Sequence, residues 1–302
     1  MRFTRLAGAA LAMSLAMGGT ALAQGTINSV GDGFSAGVGA NGELYNPGDG
    51  TGFRRNGDGY DPISPGTPRD SWGIAVVGGG GAYGDQAFFG SSNIVGTTSV
   101  FSGAGALVTT TTSLGLTVEQ DYSFVSGGNI LRILTSVTNT GGDLGEVLFQ
   151  RNVDWDIAPN ETDERVTGPY GAFGAVVDSS YLGFEDPDPN TPYGFSCFAG
   201  CDATGDLGGG IKISLGSLAG GATARFVYYY GLSDAGQSTE DLIAEGQAAG
   251  ARYLIAGASQ GGENSAFIGV GAVVPEPGVW AMMILGFFGL GSMLRRRQTA
   301  AA

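Results

Sequence analysis

The sequence predicts a mainly β protein: an antiparallel β-sandwich or supersandwich with one helix near 239–255. A signal helix at the N-terminus and a hydrophobic helix at the C-terminus flank this fold. Three observations predict it. Apolar residues recur at alternate positions in several runs of strand length. Glycine supplies 57 of the 302 residues and separates these runs, as turns require. Only one segment has helical spacing.

The strand-like runs begin at Trp72, after a segment rich in turn-forming residues. The clearest run is 116–124, where apolar and polar residues alternate, which indicates a strand with one buried and one wet face. A single charged residue, Arg151, interrupts the apolar face of 146–157. Because short turns join several runs, we expect an antiparallel meander. The predicted strands are 72–77, 116–124, 129–138, 146–157, 224–232 and 265–274.

The predicted helix begins after Ser238. This serine can cap the helix, and Asp241 three residues later completes a capping box. An apolar stripe then continues to about Ile255. The stripe consists of Leu242, Gly246, Ala249 and Tyr253.

Composition excludes several classes of function. The chain has no histidine, which excludes a Ser-His-Asp triad, a Cys-His dyad and histidine-ligated zinc. The 28 acidic and 14 basic residues give a formal net charge of -14, which argues against nucleic acid as a partner. The only lysine, Lys212, is not part of a GK[ST] motif, so a Walker-type phosphate loop is also excluded.

The N-terminal residues 1–23 have the pattern of a secretory signal peptide. Two arginines precede a short apolar stretch, and small residues at Ala21 and Ala23 define a cleavage site before Gln24. The apolar stretch is too short for an ordinary transmembrane anchor. We therefore expect export.

The C-terminal residues 275–297 read PEPGVWAMMILGFFGLGSMLRRR. An apolar run, 279–294, is followed at once by basic residues, which stay on the cytoplasmic side of a membrane. The run is shorter than the ~20 residues of an ordinary spanning helix, so we expect a marginal or transient span. The residues that define this pattern are Pro275, Glu276, Pro277, Trp280, Arg295, Arg296 and Arg297.

This tail closely resembles the PEP-CTERM sorting signal of Gram-negative bacteria, over about two dozen residues. The resemblance implies recognition by an exosortase near Pro275–Pro277 and removal of the tail. It implies delivery to the cell surface or the exopolysaccharide matrix, with inner-membrane association before the tail is removed. The expected organisation is therefore 1–23 signal peptide, 24–71 Gly/Asp-rich loop region, 72–274 β-sandwich domain and 275–302 sorting segment.

Two cysteines, Cys197 and Cys201, are the only ones in the chain. Two cysteines in an exported protein favour a structural disulfide. The alternative, a redox pair, lacks the Cys-x-x-Cys spacing.

Acidic clusters are the remaining candidates for chemistry. Asp58 with Asp61, and Asp154 with Asp156, supply the hard oxygen ligands that calcium prefers, although a solvated acidic turn is the simpler explanation of each pair. Asp154 and Asp156 should share one face of a strand, and paired carboxylates can also serve glycoside hydrolysis. We expect no firm metal site and no obligatory cofactor, with calcium as an open candidate.

Together these features predict an exported, non-catalytic protein of the cell surface or of the extracellular biofilm matrix. The expected partners are the secretion machinery, the exosortase and extracellular polysaccharide, and nucleic acid is not among them. The alternatives are a carbohydrate-active hydrolase using paired carboxylates and a calcium-stabilised structural module.

Overall fold

A computed structural model describes residues 24–85, 89–125 and 128–272. Within these residues the chain forms three antiparallel sheets and one helix, so the prediction of a mainly β protein is confirmed. The predicted signal helix and C-terminal hydrophobic helix lie outside the described residues.

In chain order, the strands are β1 (Gly25–Asn28), β2 (Phe34–Val38), β3 (Phe53–Arg55), β4 (Asp70–Val76), β5 (Gly81–Asp85), β6 (Ser91–Ser92), β7 (Ile94–Phe101), β8 (Gly105–Thr112), β9 (Leu116–Phe124), β10 (Ile130–Asn139), β11 (Leu144–Asp154), β12 (Glu164–Gly171), β13 (Val176–Ser180), β14 (Cys201–Gly205), β15 (Gly208–Leu218), β16 (Thr223–Leu232), β17 (Tyr253–Ala258) and β18 (Ser265–Ala272). The helix α1 (Thr239–Ala249) lies between β16 and β17.

The two larger sheets form the layers of a sandwich-like fold. The nine-stranded sheet has the order β14-β12-β17-β18-β16-β10-β9-β8-β7, and the six-stranded sheet has the order β13-β15-β11-β4-β5-β6. Phe149 of β11 packs against Phe226 and Tyr228 of β16, with ring centroids 4.9 and 5.9 Å apart. These contacts place the main hydrophobic core between the layers.

The expected meander is present over β7 to β10 but ends there. β10 pairs with β9 and β16, whereas β11 pairs with β4 and β15 in the opposite layer. The turn after Asn139 therefore carries the chain across the core. Alternation along a strand shows which face is buried but does not show which layer the strand joins. The prediction that the meander continues from β10 into β11 is therefore wrong.

The N-terminal part, 24–71, contributes the small sheet β1-β2-β3 and much ordered loop. Its side chains Ile27, Leu44 and Phe53 are fully or nearly fully buried in the main core. Phe53 also packs against Phe124 of β9, with ring centroids 6.0 Å apart. This segment is therefore an integral part of the fold.

Helix α1 starts as predicted but ends earlier. The Ser238 hydroxyl accepts a hydrogen bond from the Asp241 backbone N–H, which caps the first turn. Gly250 adopts a left-handed conformation with φ of 117°, a conformation that favours glycine and ends the helix after Ala249. The following residues form β17 instead of continuing the helix to 255.

An ion pair between Arg151 of β11 and Asp70 of β4 lies wholly inside the sandwich. Both side chains have no solvent exposure, and Arg151 Nη2 lies 2.5 Å from Asp70 Oδ1. Asp70 also accepts hydrogen bonds from the Tyr230 hydroxyl at 2.6 Å and from the Leu44 backbone N–H at 2.8 Å. The charge of the carboxylate is thus compensated by donors from three separate parts of the chain.

The rest of the guanidinium is satisfied in the same way. Arg151 donates to Gln120 Oε1 at 2.5 Å, to the Tyr230 hydroxyl at 3.0 Å and to the Gly42 carbonyl at 3.1 Å. Gln120 and Tyr230 belong to the nine-stranded sheet, and Gly42 belongs to the N-terminal segment. The Arg151 side chain therefore links both layers to the N-terminal segment 24–71.

Asp70→Asn should destabilise the fold strongly, because it leaves the buried Arg151 charge without its counter-ion. We expect the free energy of unfolding in urea to fall by about 3–5 kcal/mol. Asp202→Asn is the matched control, since it breaks the exposed pair of Arg165 and Asp202, whose side chains are 58% and 60% exposed. That change should leave the free energy of unfolding nearly unchanged, because solvent screens the charges of an exposed pair. Equal losses in the two variants would contradict a central role for the buried pair.

Candidate functional site

The carboxylates at the end of β11 form the main candidate site. Trp155 and Ile157 are buried in the core, at 1% and 0% exposure, so the intervening Asp156 and the preceding Asp154 point the other way. Backbone hydrogen bonds hold this segment on both sides. Asp154 N–H donates to the Arg69 carbonyl at 3.0 Å, and Trp155 N–H donates to the Leu207 carbonyl at 3.3 Å.

Two further acids lie close enough to interact electrostatically with this pair. Glu164 on β12 is fully buried, and its carboxylate accepts the Ile157 N–H at 3.0 Å. Asp206, in the turn between β14 and β15, raises the pKa of both Asp154 and Asp156 through its charge. We call Asp154, Asp156, Glu164 and Asp206 the acidic cluster.

The acidic cluster has unusual protonation behaviour. Burial, followed by the charges of Asp156 and Asp206, raises the pKa of Asp154 to about 7. Burial and the charge of Glu161 raise the pKa of Asp156 to about 6. Asp154 Oδ1 is buried without a hydrogen-bond partner, and Oδ2 lies 4.0 Å from Arg69 Nε. A carboxyl group in this state can hold and donate a proton near neutral pH.

The acidic cluster does not form a ready-made metal centre. Over residues 24–85, 89–125 and 128–272, no three His, Cys, Asp or Glu side chains converge in an arrangement that could hold a metal ion. Calcium binding by Asp154 and Asp156 therefore stays a prediction.

Asp58 and Asp61, the other calcium candidates, have structural partners. Asp58 forms an ion pair with Arg55, with a shortest N–O distance of 2.5 Å. The buried Asp61 carboxylate accepts four backbone N–H groups at 2.8 to 3.1 Å, and so it shapes the turns on either side of β3. The donors are Gly52, Phe53, Ile63 and Ser64.

The two cysteines are joined. Cys197 and Cys201 form a disulfide whose Cα atoms are 4.8 Å apart, closing a short loop beside β13. Phe195 and Phe198, on either side of Cys197, are each 48% exposed. The Glu185 carboxylate accepts the N–H groups of Gly194 and Phe195, at 3.1 and 3.2 Å, which fixes the entry to the loop. The structure thus presents two aromatic side chains on a constrained surface loop, the aromatic loop (193–201).

The sorting and processing residues cannot be placed in this geometry. Gln24 is the first described residue, whereas Ala21, Ala23 and the tail residues Pro275, Glu276, Pro277, Trp280 and Arg295–Arg297 lie outside the described residues. No helix in the described part of the chain is long and apolar enough to cross a membrane.

Sequence reasoning missed three features of these sites. Asp206 joins Asp154 only through the pairing of β11 with β15, which no local pattern shows. Phe195 and Phe198 could have been found from the sequence, because two aromatic residues flank a cysteine in a turn-rich segment. No sequence pattern singled out Asp70 as a buried residue, because it lies at the end of the turn-rich segment 24–71.

Comparison with known proteins assigns the chain to no family. No protein-family model matches the chain, and no curated protein matches it.

Asp154→Asn should stabilise the protein at pH 8 and have little effect at pH 4. The raised pKa means that folded Asp154 binds more protons than unfolded Asp154 between pH about 4 and about 7. Its contribution to stability therefore falls as pH rises through that window and remains low above it. An amide cannot ionise, so Asp154→Asn avoids the cost of burying a charged carboxylate. The free energy of unfolding at pH 8 should therefore rise by about 1–3 kcal/mol.

The control for this measurement is Asp32→Asn, which changes an exposed carboxylate far along the chain from the acidic cluster. Thermal melts of both variants at pH 4 and pH 8 give the comparison. A destabilised Asp154→Asn at pH 8 would show that the ionised carboxylate is required for the fold.

Proposed function

We propose that this chain is an exported, non-catalytic surface or extracellular-matrix protein that is sorted by an exosortase and binds exopolysaccharide. The observation that carries the proposal is the Pro275–Arg297 pattern, in which a Pro-Glu-Pro motif, a short apolar run and an arginine cluster follow one another. The disulfide between Cys197 and Cys201 supports it, since such bonds persist in oxidising compartments outside the cytoplasm.

The aromatic loop supports the binding part of the proposal. Aromatic rings offer flat apolar faces that can stack on the C–H faces of sugar rings. Phe195 and Phe198 are each 48% exposed, although burying such rings is favourable, and exposed apolar side chains can mark binding sites. The disulfide and the Glu185 hydrogen bonds restrict the loop before binding, which lowers the entropic cost of forming a complex.

Sorting is tested by removing the tail. Deletion of residues 275–302 should leave the protein in the periplasm or release it in soluble form, whereas the complete chain should reach the surface or matrix. Fractionation of the producing bacterium measures the difference. An unchanged surface or matrix fraction after deletion would end the sorting proposal.

Glycan binding is tested separately by co-sedimentation of residues 24–274 with the exopolysaccharide of the producing bacterium. The double variant Phe195→Ala/Phe198→Ala should weaken binding about tenfold or more, corresponding to about 1.4 kcal/mol. Phe89→Ala is the matched control, because Phe89 is 44% exposed elsewhere on the surface. Equal binding by the double variant and the control would remove the aromatic loop from the proposal.

Carbohydrate hydrolysis is a second candidate, favoured by the pKa of about 7 for Asp154. A carboxylic acid that stays protonated near neutral pH can protonate a glycosidic oxygen, while a neighbouring carboxylate such as Asp156 serves as its partner. Release of reducing ends from host glycans by the unaltered chain, and its loss in Asp156→Asn, would support this candidate. No release from any host glycan would end it.

A calcium-stabilised module is the third candidate. Like-charged carboxylates in the acidic cluster repel one another, and a divalent cation would relieve that repulsion. Binding would require the side chains to move together. The melting temperature should then be higher with calcium than with a chelator, and equal values would exclude this role.

A further inference from the structure

The aromatic loop lies in a strongly acidic part of the chain. Residues 166–211 contain six acidic residues and neither Lys nor Arg. The six are Asp178, Glu185, Asp186, Asp188, Asp202 and Asp206. Asp202 forms an exposed ion pair with Arg165, whereas Asp178 and the carboxylates of 185–188 accept hydrogen bonds from neutral donors. The surroundings of the loop therefore carry an excess of negative charge.

Two of these carboxylates touch the loop itself. Asp178 of β13 accepts the Ser196 hydroxyl at 3.3 Å, and Ser196 directly follows Phe195 in the chain. Glu185 accepts the Phe195 N–H at 3.2 Å, and both carboxylate side chains are partly exposed. Tyr181 packs edge-on against the Phe195 ring, with ring centroids 5.7 Å apart. Negative charge therefore lies directly beside the backbone that carries the exposed rings.

The inner side of the same loop already holds one ammonium group. Lys212, the only lysine of the chain, is 5% exposed. Its Nζ donates to the Thr191 carbonyl at 2.7 Å and lies 4.5 Å from the centroid of the Tyr193 ring. Asp178 is its neighbour across β13 and β15. An aromatic face, a carbonyl oxygen and nearby carboxylates together favour an ammonium group. Because Lys212 is held inside, it is not available to bind an anionic ligand on the outer side.

We propose that the aromatic loop binds a polysaccharide that carries free amino groups. Its ammonium groups meet Asp178 and Glu185, while its sugar rings stack on Phe195 and Phe198. The inference rests on the proposed glycan binding and names the class of glycan for that same site.

Charge complementarity selects this ligand. A polysaccharide of uronic acids would bring like charges against the carboxylates beside the loop, which is unfavourable. A neutral glycan would stack on the rings but would gain nothing from the carboxylates. A lysine-rich peptide would match the charge, but it lacks sugar rings to cover the two exposed phenylalanines. An amino-sugar polymer supplies both kinds of contact.

The exopolysaccharide of the producing bacterium tests the inference when it is used before and after treatment with acetic anhydride. This treatment converts each free amine into a neutral amide and leaves the sugar rings and linkages in place. Residues 24–274 are used, because both hydrophobic clusters lie within them, from Ile27 to Val270. We expect the protein to co-sediment with the untreated polymer and to bind the acetylated polymer about tenfold more weakly.

The other outcomes of this comparison separate the two proposals. Equal binding to the untreated and acetylated polymers would overturn the inference and leave glycan binding intact. Binding to neither polymer would overturn the proposed glycan binding and this inference together.

Defined oligomers separate charge from sugar rings. Calorimetric titrations at pH 6 compare hexamers of glucosamine, N-acetylglucosamine and galacturonic acid with hexalysine. The glucosamine hexamer should bind about tenfold or more tightly than the N-acetylglucosamine hexamer, and the galacturonic acid hexamer should not bind. Added salt should reduce the advantage of the glucosamine hexamer, since it screens the charges. Hexalysine binding as tightly as the glucosamine hexamer would assign the loop to basic peptides and overturn the proposal.

The variant Asp178→Asn tests the carboxylate beside the loop, because asparagine keeps the Oδ1 acceptor for Ser196 and removes the charge. Its affinity for the glucosamine hexamer should fall about fivefold, with the N-acetylglucosamine hexamer unchanged within about twofold. Asp32→Asn is the matched control, since it removes the same charge from an exposed carboxylate of the N-terminal segment. Equal losses in the two variants would show attraction to the acidic protein as a whole and would overturn the proposal.

Discussion

The buried contact between Arg151 and Asp70 is the constraint on which the rest of the structure depends. Removing two charges from water is costly, and that cost is recovered only when hydrogen bonds satisfy nearly every donor and acceptor of the pair. Here the partners come from both layers and from the N-terminal segment. Shifting one layer against the other would separate Arg151 from these partners and leave its buried charge without them.

This constraint also explains why the N-terminal segment is ordered despite its loop-like sequence. The Gly42 carbonyl and the Leu44 N–H face the buried pair, so the segment completes the hydrogen bonding of the core. Close backbone contacts hold it there. A Cβ at Gly37 would lie only 1.9 Å from the Thr51 carbonyl oxygen, so glycine is required where the segment folds onto itself. Part of the high glycine content therefore reflects close packing.

The charges are distributed unevenly over the described residues. Carboxylates crowd at the end of β11, where burial raises their pKa values. The edge strand β7 and its neighbour β8 contain no charge at all. The net negative charge favours solubility and repels other acidic macromolecules.

The sequence by itself determined the local features of this protein. Alternation located β9, β10 and β16 closely, and the capping box located the start of α1, because both patterns depend on neighbouring residues. Only the tertiary structure decided which layer each strand joins, that Gly250 ends the helix in a left-handed conformation, and that Asp206 lies near Asp154. Arg151 shows the reason. The sequence places a charge on an apolar face, but its hydrogen-bond partners come from 29 to 109 positions away. Long-range pairing alone turns that local anomaly into the centre of the fold.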